Sequence, residues 1–421
     1  MEKFTFNISG GNLEKKNVRE SVLIEDNTNA WDEDEDRAPG IVERQRRSRR
    51  RNTILGTVAL VLVLILGFFL VVMMRHYNSY DVVSTEKVKG ASAYKYVTFD
   101  GCLLKYGNDG AILTDPTGKV VWNEGFEMTA PRIDICKDYL ILYDRNGSKI
   151  FLMDTRGEVA EISTRLPISK AEVSESGTMA VVMKKDMKAR IEMYNKKGEV
   201  LASGELHIDN SGYPADIALS SNGKLLMVSS VGYEKGDVVS RITFYNFGKA
   251  GRNSIDNKVA SFDYKGTIVP EVDITEAGKP LAIGSDKIII YSGKATPEEK
   301  TIIKPEGEMK SVFHNDKYIG YVVGEADEKG TLSDTVKLYS YRGFKRYSKK
   351  LDFEYRDIKL LDDNEVYVTD GHKIMFISLF GMNRFYMNDE DEIFDVINKK
   401  SGREFYFIKS DSVNHVKLTN R

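Results

Sequence analysis

A short phrase returns along this chain at near-regular intervals: an acidic residue followed by Ile or Val, with strand-like runs behind it. It reads Asp134-Ile135, Glu172-Val173, Asp216-Ile217, Asp273-Ile274, Asp357-Ile358 and Asp395-Val396, and Tyr96-Val97 and Ser311-Val312 fit the same phase. Successive copies lie 38, 38, 44, 57, 38, 46 and 38 residues apart, about 43 on average. A period of roughly 40–45 residues made of short strands is the length of one four-stranded propeller blade. Eight copies therefore predict an all-β, eight-bladed β-propeller, with seven blades as the alternative.

Local signals agree with the period. KYGNDGAIL (105–113), LYDRNGSKIFL (142–152) and LSSNGKLLMV (219–228) each place Asn-Gly or Asn-Asp-Gly between apolar runs, and tight hairpin turns need the positive φ that Asn and Gly tolerate. The last copy ends soon after its third strand (His415 to Leu418). Its outer strand is expected from the segment near Val82–Val88, which would leave the ring without an open edge. One stretch competes: Met183, Met187, Ile191 and Tyr194 have helical spacing. The repeat phase favours a hairpin there, turning at Lys184–Lys188.

Ahead of the repeats, Ile54 to Met74 form a run of 21 residues without a charge. As a helix it would span roughly 30 Å, the thickness of a hydrocarbon core. Arg44, Arg46, Arg47, Arg49, Arg50 and Arg51 precede the run and Arg75 follows it, so the N-terminus is expected in the cytoplasm and the bulk of the chain outside. About fifty residues before the run, and RHYNSYD in place of a small-residue cleavage site after it, argue for a retained signal anchor over a cleaved signal peptide. The expected division is a disordered cytoplasmic tail (1–52), a transmembrane helix (53–75), a linker with a possible closing strand (76–92) and an extracytoplasmic propeller (93–421). The tail carries 11 acidic and 11 basic side chains and too little apolar surface to order itself. Its arginines suit anionic lipid headgroups, so membrane lipid is an expected partner. The short apolar patches Phe4–Phe6 and Val22–Ile24 are the only hint of a cytoplasmic docking site. Gly56 and Gly67 do not make a helix-dimerisation motif.

Sixty-one basic against 63 acidic residues leave a charge of −2, which argues against nucleic acid as a partner. The histidines (His76, His207, His314, His372, His415) include no helical metal-binding pair, and G-x-S-x-G, phosphate-binding and H-E-x-x-H motifs are absent. Ser-x-x-Lys at Ser84–Lys87 and Ser221–Lys224 is short enough to arise by chance. Asp389-Glu390-Asp391-Glu392 reads as a solvated acidic loop rather than a calcium site, and whether the chain binds a metal is left open. Cys102 and Cys136 fall in neighbouring repeats, where a disulfide is possible outside the cytosol and two free thiols are the favoured state. No cofactor is expected. The one constellation beyond the fold is the set of recurring acids. If each opens an innermost strand, Asp134, Glu172, Asp216, Asp273, Asp357 and Asp395 stand around the central channel, capping backbone amides or gathering as a cation-binding ring.

AILTDPTGKVVW (111–122) resembles the repeat of quinoprotein-type propellers, in which a strand leads into an Asp-x-x-Thr-Gly-Lys-like turn and the next strand carries Trp. IFLMDTRGEVAEI (150–162) and IEMYNKKGEVLAS (191–203) resemble it more loosely and lack the Trp. Taken whole, the layout is similar to an uncharacterised family of membrane-anchored propeller proteins of clostridia and their relatives. Quinone-binding members of the superfamily have a dedicated pocket, often with a vicinal disulfide, and this chain has no adjacent cysteines. Its non-catalytic members are envelope assembly scaffolds, which implies a binding or assembly role towards envelope protein or glycan partners. The alternatives are a hydrolase or lyase working at the channel mouth, and a sensor signalling to the tail.

Overall fold

In the computed structural model every copy of the phrase opens an antiparallel four-stranded sheet, and there are eight such sheets among the described residues. The structure describes residues 50, 52–67 and 75–420, apart from 187, 208–211, 253, 327–331 and 400–401. The first strands of blades 1 to 8 are Lys95–Phe99, Pro131–Cys136, Ile168–Val173, Tyr213–Leu219, Glu271–Ile274, Met309–His314, Asp357–Leu360 and Asp395–Asn398. First strands neighbour one another at the junctions of blades 2–3, 3–4, 4–5, 6–7 and 8–1, which marks them as the innermost strands, and buried clusters at the remaining junctions complete the ring. The 57-residue step arises in blade 4, whose middle strands Leu225–Glu234 and Asp237–Asn246 are ten residues each.

Strand alternation explains why the phrase has two letters. One residue faces the channel side and the next must enter the packing between blades. Val173, Ile217, Ile274, Ile358 and Val396 are all buried, each in a separate interblade cluster, and Val97, Ile135 and Val312 pack against such clusters. Eight clusters fill the eight interfaces of the ring. The largest aromatic one joins blades 7 and 8, where Phe376 lies 5.2 Å from Phe385 and 4.8 Å from Phe405, centroid to centroid.

Blade 8 completes itself with the segment expected from the sequence. Ser79–Lys87 pairs antiparallel with Ser412–Thr419, from Ser79 opposite Thr419 to Lys87 opposite Ser412. The acidic loop reinforces this closure: Tyr80 Oη donates to Asp389 Oδ2 at 2.5 Å, and Lys409 Nζ lies 3.0 Å from both Asp389 and Asp391. Glu392 pairs with Arg356. The disputed stretch is the hairpin Met179–Lys185 and Lys188–Tyr194. Its apolar residues follow a period of two because Met183, Ile191 and Met193 are buried between blades.

The three quinoprotein-like segments share one turn. Asp115 accepts from the amides of Thr117 (2.8 Å) and Lys119 (3.0 Å), Asn195 from those of Lys197 (2.9 Å) and Glu199 (3.0 Å), and Asp154 from that of Arg156 (2.7 Å). Gly118 and Gly198 follow at φ 89° and 80°, a left-handed conformation that side chains resist. Both cysteines are free, Cys136 buried and Cys102 half-buried.

The chain divides into two compact units, Met1–Met73 and Met74–Arg421. In the first, residues 52–67 are helical. The rest of the tail, including its arginines other than Arg50, and the end of the apolar run (68–74) lie outside the described residues. Among the described residues, no helix is long and apolar enough to cross a membrane.

Candidate functional site

Four of the six recurring acids gather at two cavities on the inner strands of blades 2 to 5. One cavity, of about 750 Å³, opens where those strands begin and is lined by Asp134, Glu172 and Asp216 among others. The second, of about 230 Å³, lies where they end and is lined by Asp134, Glu172, Asp273 and His314 among others. Asp134 and Glu172 therefore stand between the two. Asp357 and Asp395 line neither cavity.

Each carboxylate has its own partner. Asp134 Oδ2 accepts the Val173 amide of the next blade at 2.6 Å, and Asp216 Oδ2 accepts the Val272 amide at 3.0 Å. Lys170 Nζ bridges Glu172 (3.1 Å) and Asp216 (3.2 Å). His314 lies between Asp273 (3.5 Å from Nδ1) and Glu271 (3.6 Å from Nε2). Asp357 accepts its neighbour's amide, Ile358, at 2.9 Å; Asp395 accepts that of Val396 at 2.7 Å and pairs with Lys359. The arrangement combines amide capping, on or between blades, with cations that answer individual acids. At the two positions where the phrase lacks an acid, Tyr96 is buried and Ser311 Oγ meets Tyr355 Oη at 2.7 Å.

The crowding leaves an electrostatic mark. Burial pushes the Asp134 carboxyl up to about 6, against the pull of the Val173 amide and Lys170. Burial, and then the adjacent Asp134, push Glu172 well above the ordinary glutamate range. Asp216 and Asp273 are also raised, chiefly by burial. Burial works against the Lys170 ammonium, but Glu172 and Asp216 outweigh it and hold the lysine charged. His314 behaves alike, with the Glu271 hydrogen bond and Asp273 overcoming its burial. Such a site can hold protons and hydrogen-bond donors. Among the described residues, no group of three or more His, Cys, Asp and Glu side chains is arranged to hold a metal ion.

Two residues that complete this site, Lys170 and His314, are not among the six recurring acids, and the histidine spacing alone gave His314 no role. For Lys170 a signal existed: it stands two residues before Glu172, as Arg132 does before Asp134 and Glu271 before Asp273. Period-two spacing puts both members of each pair on one face of the strand. The remaining histidines lie elsewhere. His76 Nδ1 is 2.8 Å from the Asn383 carbonyl, His372 Nδ1 is 3.3 Å from that of Asp389, and His415 is paired with Glu404 at 3.1 Å. Of the Ser-x-x-Lys serines, Ser84 is in the closing strand and Ser221 Oγ donates to Glu175 at 3.2 Å.

Residues 73–418, which hold the whole ring, match a family described as of unknown function, DUF5711. The chain belongs to that family. No curated protein matches the sequence. Among solved structures, the propeller is similar to BamB from Moraxella catarrhalis, at 12% identity over 81% of this chain and 100% of that one, with a TM-score of 0.50. It is also similar to a eukaryotic initiation factor, at 11% identity over 78% of this chain and 83% of that one, again with a TM-score of 0.50. At such identities the likeness is one of fold, and this DUF5711 member is an eight-bladed propeller resembling BamB.

Proposed function

We propose that this protein is a binding or assembly scaffold, held in the cell membrane by the apolar run 54–74 and presenting its propeller outside the cytoplasm to envelope protein or glycan partners. The observation that carries the reading is the open cavity of about 750 Å³ at one end of the channel, on a ring whose eight interfaces are packed and whose edge is closed. A rigid surface with an open, charged centre suits recognition of a partner. The deeper acids of the channel pair with Lys170, His314 and backbone amides, and among the described residues no Ser or Cys side chain donates a hydrogen bond to His314. The six arginines from Arg44 to Arg51 support a cytoplasmic N-terminus, and the BamB-like fold supports a propeller used as a platform.

Two measurements test this. Protease added to intact protoplasts should remove the region after Arg75 and spare the tail; the reverse pattern would refute the orientation. Crosslinking of the full chain in membranes, followed by affinity capture, should recover a defined envelope partner. That capture should weaken when mouth residues such as Tyr213 and Lys185 are both replaced by Ala. Capture indifferent to every mouth substitution would refute the platform reading.

A further inference from the structure

The wide end of the channel carries positive charge that its own acids do not answer. Arg132 and Arg145 of blade 2, Lys170 of blade 3 and Lys184 and Lys185 at the blade-3 hairpin tip all line the cavity. Lys170 is engaged with Glu172 and Asp216. The others are not: among the described residues no carboxylate lies within ion-pair distance of Arg132, Arg145, Lys184 or Lys185. The Arg132 guanidinium donates only to the carbonyl of Pro131, at 3.1 Å, and the Lys184 ammonium rests over the Tyr213 ring, 4.0 Å from its centre. The acids deeper in the same cavity are occupied, Asp134 by the Val173 amide, Glu172 and Asp216 by Lys170, and Glu271 by His314. Asp186, at the tip of the hairpin, also lines the cavity and is exposed, as are Arg145 and Lys185, whereas Arg132 and Lys184 are half-buried.

Like charges held together in a partly desolvated recess are unfavourable unless a counter-ion joins them. Burial, and then Arg145, hold the Lys184 ammonium down to about 8, so these cations already compete. Guanidinium forks match the paired oxygens of carboxylate and phosphate, and a lysine adds a mobile point charge. We propose that this mouth binds a multivalent oxyanion, a phosphate- or carboxylate-bearing group gripped between Arg132, Arg145 and Lys184, with the Tyr213 ring as its side wall. The inference rests on reading this mouth as the platform's binding face, and names the chemistry that face recognises. The carboxylates on the floor limit how deep the anion sits, so the charged end of the ligand stays at the rim.

The test is calorimetric titration of the full chain in detergent, at low ionic strength, with pyrophosphate, citrate and inorganic phosphate as separate probes. Saturable binding is expected, tighter for the multivalent pair than for phosphate. The ratio of pyrophosphate to citrate affinity then tells a phosphoryl from a carboxylate preference. Arg145→Gln combined with Lys184→Gln should weaken binding on the order of tenfold or more, while Lys197→Gln, on an exposed turn of the same blade, should leave it unchanged. Unaltered circular dichroism of each variant guards against misfolding. Equal affinity in the double variant, or an effect reproduced by chloride at matched ionic strength, would overturn the proposal. No saturable anion binding by the wild-type chain, with partner capture still weakened by mouth substitutions, refutes this inference alone; capture indifferent to those substitutions, with anion binding intact, refutes the platform reading.

Discussion

Asp134→Asn isolates what burying a carboxylate at the channel waist does to stability. The side chain accepts the Val173 amide at 2.6 Å, and burial lifts its pKa from 3.8 to about 6. A carboxyl whose pKa is raised on folding binds protons more tightly in the native state, so stability falls as pH rises between the unfolded and folded values. At about 1.4 kcal/mol per unit, ionised Asp134 costs the fold about 3 kcal/mol at pH 8, and roughly half of that at pH 5. Asn keeps one oxygen for the Val173 amide but turns an NH₂ group where the second oxygen was, a loss of about 1 kcal/mol. The variant should therefore exceed the wild type by about 2 kcal/mol at pH 8, with the advantage shrinking by about 1.5 kcal/mol at pH 5. Urea titrations of both proteins at the two pH values, with unchanged m, measure this directly. Asp134→Ala, which also strips the amide of its acceptor, should show a smaller gain than Asn at pH 8. An Asn variant whose advantage is the same at both pH values, or larger at pH 5, would refute the account of a buried, proton-binding Asp134.

Three further outcomes follow from the packing. Lys409→Met leaves buried Asp389 without its cation and should cost about 3 kcal/mol, read as a lower urea midpoint and as earlier proteolysis near Ser79–Lys87, the strand this clamp holds. Phe376→Ala empties a fully buried position between Phe385 and Phe405 and should cost about 3–5 kcal/mol by the same titration. Gly320→Ala would set a methyl group 2.1 Å from the buried Phe313 ring; overpacking of this kind should cost about 1–3 kcal/mol, and a concurrent Phe313→Leu should recover part of it.

Much of the architecture could be read from spacing. The acid-Ile/Val phrase at 134, 172, 216, 273, 357 and 395 marks six inner strands, and Tyr96 and Ser311 mark the other two. This works because a blade is a local unit: four strands joined by short turns need a set length of chain, and the buried member of the phrase must recur once per interface. The contribution of Ser79–Lys87 was legible too, since a three-strand final repeat needs a fourth strand from elsewhere. The hairpin at Met179–Tyr194 was legible only through the period, because its apolar spacing alone also fits a helix.

What tertiary structure decided is how the charges meet. Asp134 reaches an amide 39 residues on, Asp216 one 56 residues on, and Lys170 bridges two blades. One sequence lists these charges but does not state which strand edges face each other at the same height across the channel. That depends on the closure of the ring, and low dielectric then turns small differences in placement into large differences in proton affinity. Six acids equivalent in sequence thus became inequivalent in space, four at the cavities of blades 2 to 5 and two, Asp357 and Asp395, outside them. The unpaired Arg132, Arg145 and Lys184 came together in two steps: the first hairpin of blade 2 sets Arg132 and Arg145 at one end of that blade, and the packing of blade 3 beside it adds Lys184.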